Sequence, residues 1–293
     1  MGKIPLLTTG ANGLVGSKFV ELFQEKYEIT SLELRHASNP VDITHLSSVL
    51  TAFENSPAQV VIHLAAYTDV TGAWKQDGDK NGSAYQVNVI GTQNIVTACH
   101  QFDKFLIHVS TAYVFDGESA GLYSETDFTN PIEWYGQTKL MAEELIQASQ
   151  TKHAILRIDQ PFRSDGFEKT DIAHRIIQGL KTSSLQPMFD NHFFGPTFID
   201  DFAKVLDFFV EKQVDGLFHA SAGEKWSDYE FAQAIKKIHN LSTEVKPGNL
   251  EGYLKTVNRP YQKNTALNCE KLIKILPFQM NTIEKALSLI KIE

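Results

Sequence analysis

Cysteine is nearly absent from this chain: Cys99 and Cys269 are the only two among 293 residues. They stand far apart and outside any metal-ligand spacing, which excludes a disulfide framework and points to a reducing compartment. No two of the ten histidines fall in an HxxxH pair, so no metal site is expected. A basic excess is missing too. With 27 Lys and Arg against 35 Asp and Glu, the formal charge is −8. Counterion release at nucleic acid needs a basic face, so no nucleic-acid partner is expected. No apolar run reaches the roughly 20 residues of a membrane span. The opening Met1-Gly2-Lys3-Ile4-Pro5 lacks the apolar stretch of a secretory signal, and the expectation is a cytoplasmic protein with no membrane partner.

Present instead are an ordinary hydrophobic share (42%) and charged share (21%), which suit a globular chain with a large core. Short apolar runs alternate with longer helical periodicity through the first half. Strands are expected at 4–8, 27–34, 59–64, 104–110 and 153–158, and helices at 14–25, 43–53, 82–100 and 134–148. That alternation predicts an α/β fold, a doubly wound parallel (Rossmann) sheet with helices on both faces. Pro5 cannot donate to a strand ladder and fits only where its strand begins. The second half is less regular, with helices near 172–180, 197–210 and 227–238, the last opened by a Ser227-Asp228 cap, and a strand near 216–220. The expected domains are a dinucleotide-binding domain at 1–158, with 195–222 returning to it, and a smaller, mainly substrate-binding domain at 159–293.

Between the first strand and the first helix lies Thr9-Gly10-Ala11-Asn12-Gly13-Leu14-Val15-Gly16. Its glycines permit a tight turn and a close approach of backbone N–H groups to a pyrophosphate at a helix N-terminus. The G-x-x-G-x-x-G spacing is also that of a plain packing turn. Its place as the first loop of a βαβ pattern favours the dinucleotide. The second strand ends in Glu33-Leu34-Arg35. The carboxylate suits ribose hydroxyls and the guanidinium a 2′-phosphate, so NADPH and NADH both stay open.

Tyr135 and Lys139 sit at i and i+4 on one helix face. An unperturbed phenol is a poor acid at neutral pH. A cation about 4–6 Å away, at an effective dielectric of about 20, favours the phenolate by roughly 3–4 kcal/mol. That makes Tyr135 a competent proton donor. The bland alternative is a surface pair on an amphipathic helix. Ser110 and Thr111 end a strand, where ligands bind in open α/β sheets, and either hydroxyl could bond a carbonyl oxygen.

These segments, together with His63-Leu64-Ala65-Ala66 and Asn88-Val89-Ile90-Gly91-Thr92, resemble the extended short-chain dehydrogenases/reductases. Ser110–Gly117, Glu125–Asp127, Tyr135–Glu143, Gly195–Thr197, Phe218–Ser221, Arg259-Pro260 and Leu267–Leu272 are similar to the dTDP-4-dehydrorhamnose reductase branch. That branch reduces the 4-keto group of a nucleotide-activated deoxysugar. The resemblance implies that Thr111, Tyr135 and Lys139 are catalytic. It places Gly13, Leu14 and Val15 at the pyrophosphate, Glu33 at the adenosine ribose, Asp42 and Ile43 at the adenine, and Ala65, Ala66 and Tyr67 at the nicotinamide. The chain departs from the branch at Ala112, where Asp is usual, and at Gln160, where Trp is usual. Asp69–Ser83 is long, and Arg259 stands two residues further from Asn264 than expected. Ala112, Gln160 and Arg259 therefore mark the substrate side. The expected activity is NAD(P)H-dependent reduction of a nucleotide-sugar ketone. The alternatives are an epimerase or dehydratase and a non-catalytic, NADP-binding regulatory subunit. A homodimer is left open.

Overall fold

A computed structural model describes residues 2–34 and 40–292. Six strands form one sheet: β1 (Ile4–Thr9), β2 (Tyr27–Leu32), β3 (Val60–His63), β4 (Phe105–Thr111), β5 (His153–Ile158) and β6 (Gly216–His219). Their spatial order is β2-β1-β3-β4-β5-β6. The β1–β2, β1–β3 and β3–β4 ladders are parallel, as the doubly wound reading requires. Strand order reverses between β1 and β3, the crevice where open α/β sheets bind ligands. Pro5 pairs with Glu28 of β2, whereas pairing to β3 starts only at Leu7. The residue that cannot donate therefore sits where β1 has a single neighbour.

The chain divides into two compact units. The first comprises Met1–Val114, Glu133–Leu156 and Ala203–Phe218. Its core combines Leu7, Val49, Phe53, Val61, Ile95, Leu106 and Ile155, all nearly solvent-free. Strands buried on both faces read as continuous apolar runs, and Val60, Val61 and Ile62 form one ahead of the buried His63. Helix α1 (Gly16–Phe23) follows β1, α2 (Leu46–Glu54) precedes β3, and α4 (Trp134–Ala148) precedes β5. The expected helix at 82–100 is not uniform. A π-helical segment, Gln86–Gly91, runs into α3 (Thr92–Gln101). Residue 91 must be glycine here, since a Cβ would lie 2.7 Å from Ile43 Cδ1.

The second unit comprises Phe115–Ile132, Arg157–Phe202 and His219–Glu293. Its core gathers Phe162, Ile176, Ile177, Phe194, Phe231, Ile235, Ile283 and Leu287. Helices α5 (Ile172–Lys181), α6 (Asp228–Ile238) and α7 (Ile283–Ser288) supply most of it. Ser227 caps α6 in a reciprocal capping box with Glu230. The division differs from the expected one in two places. The returning segment is 203–218 rather than 195–222, and it is tied to the first unit by Asp207, which accepts hydrogen bonds from Lys26 Nζ and the Tyr27 hydroxyl. Segment 115–132 belongs to the second unit, because Tyr123 exchanges backbone hydrogen bonds with Ala266 and Asn268 at 2.8 and 2.7 Å. No helix among the described residues is long and apolar enough to cross a membrane.

Candidate active site

The three glycines of the first loop divide by what a side chain would meet. Gly10 has φ +70°, and a Cβ there would lie 2.7 Å from Ala65 N. A Cβ at Gly16 would lie 2.5 Å from Gly10 O and 2.6 Å from Ala11 Cα. The chain itself therefore needs these two glycines. At Gly13 a Cβ would meet only Gly10 O, at 3.2 Å, with an ordinary φ. That is a mild crowding, which the neighbouring backbone must yield to by a few tenths of an ångström, against the outright clashes at Gly10 and Gly16. Leu14 and Val15 complete the turn, and α1 opens with no side-chain cap at Val15. An anion is the natural complement to such a helix start.

Glu33 lies one residue past β2, half-buried. Its carboxylate accepts from Ser31 Oγ at 2.6 Å, and its carbonyl from Val41 N at 3.0 Å. Arg35 lies outside the described residues. Asp42 accepts from Thr44 N at 2.9 Å and Thr44 Oγ1 at 2.7 Å. Burial alone would raise its carboxyl, but these bonds and nearby His45 hold it below the usual range. Ile43 is buried, and its carbonyl accepts from Asn94 Nδ2 at 2.8 Å.

Ala65, Ala66 and Tyr67 follow β3, half-buried. Ala65 N donates to Thr9 Oγ1 at 3.1 Å, and Tyr67 N to Asn88 Oδ1 at 2.8 Å. The buried Asn88 amide also donates to Thr138 Oγ1 at 3.0 Å, and that hydroxyl donates to Tyr135 O at 2.9 Å. One asparagine thus ties the loop after β3 to the helix bearing Tyr135. Asn88 opens the Asn88–Thr92 segment that resembles the family, and the sequence pattern assigns it no role of its own. Its signal was an amide within an otherwise apolar helical stretch.

Glu133 caps α4 by accepting from Gly136 N at 3.0 Å. Tyr135 follows, 9% exposed, with the Tyr113 ring edge-on at 5.7 Å. Lys139 is 2% exposed, and its Nζ donates to Val109 O at 2.9 Å and to His108 Nε2 at 3.2 Å. Burial pulls its pKa down to about 8, and nearby Glu143 partly counters this. At neutral pH the group is still mostly an ammonium. The two strand-end hydroxyls separate, since adjacent strand residues face opposite sides. Ser110 Oγ donates to the buried Glu143 carboxylate at 2.5 Å. Thr111 Oγ1 instead accepts from the backbone N of Tyr113, whose ring stands edge-on to Tyr135, at 3.2 Å.

Ala112 is fully buried in the turn after β4 and offers no polar group. In the second unit Gln160 has φ +35°, a left-handed conformation that costs a non-glycine residue on the order of 1 kcal/mol. Such outliers gather at ligand sites. Arg259 stacks its guanidinium on the Tyr261 ring at 4.2 Å.

The sheet order, the glycine loop at the strand reversal, and a buried Tyr/Lys pair define a dinucleotide-dependent oxidoreductase of the extended short-chain dehydrogenase/reductase type. The RmlD substrate binding domain family matches residues 4–291, and the chain belongs to it. It is 31% identical to a dTDP-4-dehydrorhamnose reductase of Aggregatibacter actinomycetemcomitans, over 92% of this chain and 91% of that one. It is 28% identical to methionine adenosyltransferase 2 subunit beta of Rattus norvegicus, over 91% of this chain and 81% of that one. A crystal structure of dTDP-4-dehydrorhamnose reductase from Bacillus anthracis in complex with NADP superposes with a TM-score of 0.87. That match has 26% identity and covers 99% of both chains.

Proposed function

We propose that this NAD(P)-dependent oxidoreductase reduces the keto group of a nucleotide-activated sugar, of the dTDP-4-dehydrorhamnose type, with Tyr135 as proton donor. The observation that carries the reading is the buried Tyr135/Lys139 pair on one helix, beside the strand end at Thr111. The bound dinucleotide, NADPH or NADH, supplies the hydride. Gly13, Leu14 and Val15 would hold its pyrophosphate, Glu33 its adenosine ribose, and Asp42 and Ile43 its adenine; Arg35, expected at the same ribose, lies outside the described residues. Ala65, Ala66 and Tyr67 flank the nicotinamide.

Thr111 donates a hydrogen bond to the substrate carbonyl oxygen, and Tyr135 gives that oxygen its phenolic proton. The Lys139 ammonium stabilises the phenolate left behind and holds the nicotinamide ribose. A buried cation does this better than an exposed one, because little water screens it. Gln160 and Arg259 belong to the sugar-nucleotide side, where Arg259 suits a diphosphate.

The deciding measurement is turnover of a small panel of nucleotide ketosugars with NADPH and NADH, with Tyr135→Phe beside wild type. Should Tyr135→Phe keep more than half of wild-type turnover, the tyrosine is not the acid. A second reading, a non-catalytic dinucleotide-binding subunit, is favoured by the likeness to methionine adenosyltransferase 2 subunit beta. Tight dinucleotide binding without turnover of any ketosugar would support it instead.

A further inference from the structure

Two buried imidazoles stand side by side behind the proposed catalytic helix, and hydrogen-bond bookkeeping gives them opposite proton placements. His63, on β3, has a partner at each ring nitrogen. Thr92 Oγ1 donates to Asn88 O at 2.7 Å, so toward His63 Nε2, at 3.0 Å, it accepts. His63 Nε2 therefore carries the proton, and Nδ1 accepts from Thr9 Oγ1 at 2.7 Å. Both ring nitrogens of His63 are partnered, and the histidine reads as a structural tie.

His108, on β4, is different. Its ring centroid lies 5.1 Å from that of His63, and it is 1% exposed. Nε2 faces Lys139 Nζ at 3.2 Å, and Nδ1 is buried without a hydrogen-bond partner among the described residues. An ammonium has only donors, so Nε2 must accept, and the ring's one proton falls on the unpartnered Nδ1. A buried N–H with no partner is a standing cost that native structures seldom keep without a reason. The groups facing the ring are Lys139 from α4, His63 from β3 and His153 from β5, and together with burial they oppose its protonation. Glu143, also on α4, faces Lys139 and favours the ammonium.

We infer that His108 is a positioning residue for Lys139: its neutral Nε2 fixes one ammonium N–H and Val109 O a second, so that the third points out of the core toward Tyr135 and the cofactor ribose. The inference rests on the reading of Lys139 given above. A lysine with three rotatable donors has no preferred direction of its own. Two fixed acceptors at 2.9 and 3.2 Å give it one.

The test uses the full chain saturated with NADPH. With ¹⁵N-labelled histidine, ring spectra assigned through His108→Gln should show His108 neutral with its proton on Nδ1 from about pH 5.5 to 8.5. His63 should show the opposite tautomer. Observation of His108 with its proton on Nε2, or as an imidazolium in that range, overturns the inference. Two variants add an independent readout. His108→Gln keeps an acceptor and should stay within about threefold of wild type in turnover and NADPH affinity, whereas His108→Leu should lose about tenfold in each. In His108→Leu the ammonium loses a bond that favours it, so the alkaline limb of the turnover profile should move to lower pH. Equal behaviour of the two variants, including a shared loss of thermal stability without a moved limb, marks His108 as packing only and overturns the inference. If His108→Leu does not fold, the tautomer and His108→Gln decide. Lys139→Met separates the two levels. Wild-type turnover and affinity in Lys139→Met defeat the catalytic reading itself and the His108 inference with it, while a crippled Lys139→Met beside a normal His108→Leu defeats the His108 inference alone.

Discussion

The two units tie down their buried polar groups through different kinds of element. In the first unit the long-range bonds join strands and helices of the sheet: Thr9 Oγ1 to His63 Nδ1, Ser110 Oγ to Glu143, Asn88 Nδ2 to Thr138 Oγ1. In the second unit most of them join loops. Asn264 Nδ2 donates to Ser119 O and Gly121 O, Thr265 Oγ1 to Asp159, and His219 N to Glu125. The residues proposed to react, Tyr135 and Lys139, lie in the first unit, and those proposed for the substrate, Gln160 and Arg259, lie in the second.

The sharpest test of that contrast sets one variant in each unit. Tyr135→Phe should lower kcat by 10²–10⁴, about 3–5 kcal/mol of barrier, with dinucleotide affinity nearly unchanged. Arg259→Ala should act mainly on KM, raising it about tenfold, because a lost charge-assisted contact to bound substrate is worth on the order of 1.5 kcal/mol. Steady-state kinetics on one substrate decides. A kcat loss for Arg259→Ala as deep as that for Tyr135→Phe would break the division of labour.

Acid should loosen both units. Burial holds His63 in the first unit, and His219 in the second, near pKa 3, against an ordinary value of 6.5; the Lys139 and Arg157 charges add to this respectively. Between about pH 6.5 and 3 the unfolded chain binds more protons at these sites, so stability falls as pH falls. By pH 5 the loss is roughly 2 kcal/mol per histidine. Urea unfolding of Asp159→Asn at pH 7 and 5, where that carboxyl no longer titrates in the opposite sense, measures it, and an unchanged midpoint would refute the neutral buried imidazoles.

Asp159, in the second unit, has the opposite sign. Burial raises its pKa to about 7, although bonds from Thr265 and Gly195 N favour the carboxylate. Its folded pKa lies above the unfolded one, so stability is lost as pH rises from about 4 through 7. Asp159→Asn keeps an acceptor for both donors and removes the buried charge. It should stabilise the protein by about 2–4 kcal/mol at pH 8 and scarcely at pH 4, with the gain confined to second-unit amides in hydrogen exchange. A gain at pH 4 as large as that at pH 8 would assign the effect to packing.

The smallest expected effect lies at the glycine loop. Gly13→Ala should change thermal stability little, within about 1 kcal/mol, yet weaken NADPH and NADH binding. Gly10→Ala should destabilise by more, since its φ and the Ala65 backbone both exclude a Cβ. NADH and NADPH dissociation constants for wild type should differ by less than about 10³-fold, or 4 kcal/mol. A larger gap would mean that Glu33 or Arg35 alone decides the cofactor.

Hydrophobic period and loop chemistry determined the Rossmann half. A strand buried on both faces must be an apolar run, and the turn from β1 into α1 must carry Gly10 and Gly16, so these were legible in one dimension. The 134–148 helix and the 153–158 strand fell where the periodicity put them. The i, i+4 spacing was enough to pair Tyr135 with Lys139, because helix geometry is local. Other features had no local signature. Residue type and spacing did not separate Ser110 from Thr111, which the resemblance alone singled out; in the fold Ser110 Oγ donates to Glu143 and Thr111 Oγ1 accepts from Tyr113 N. The π-helical segment at Gln86–Gly91, the move of 115–132 into the second unit, and the strained Gln160 depend on contacts between residues far apart in sequence. So does the bond between His108 and Lys139, 31 residues apart. A side chain's type fixes what bonds it can make, but only the packed fold chooses its partner, because burial removes the water that would otherwise have served every polar atom equally.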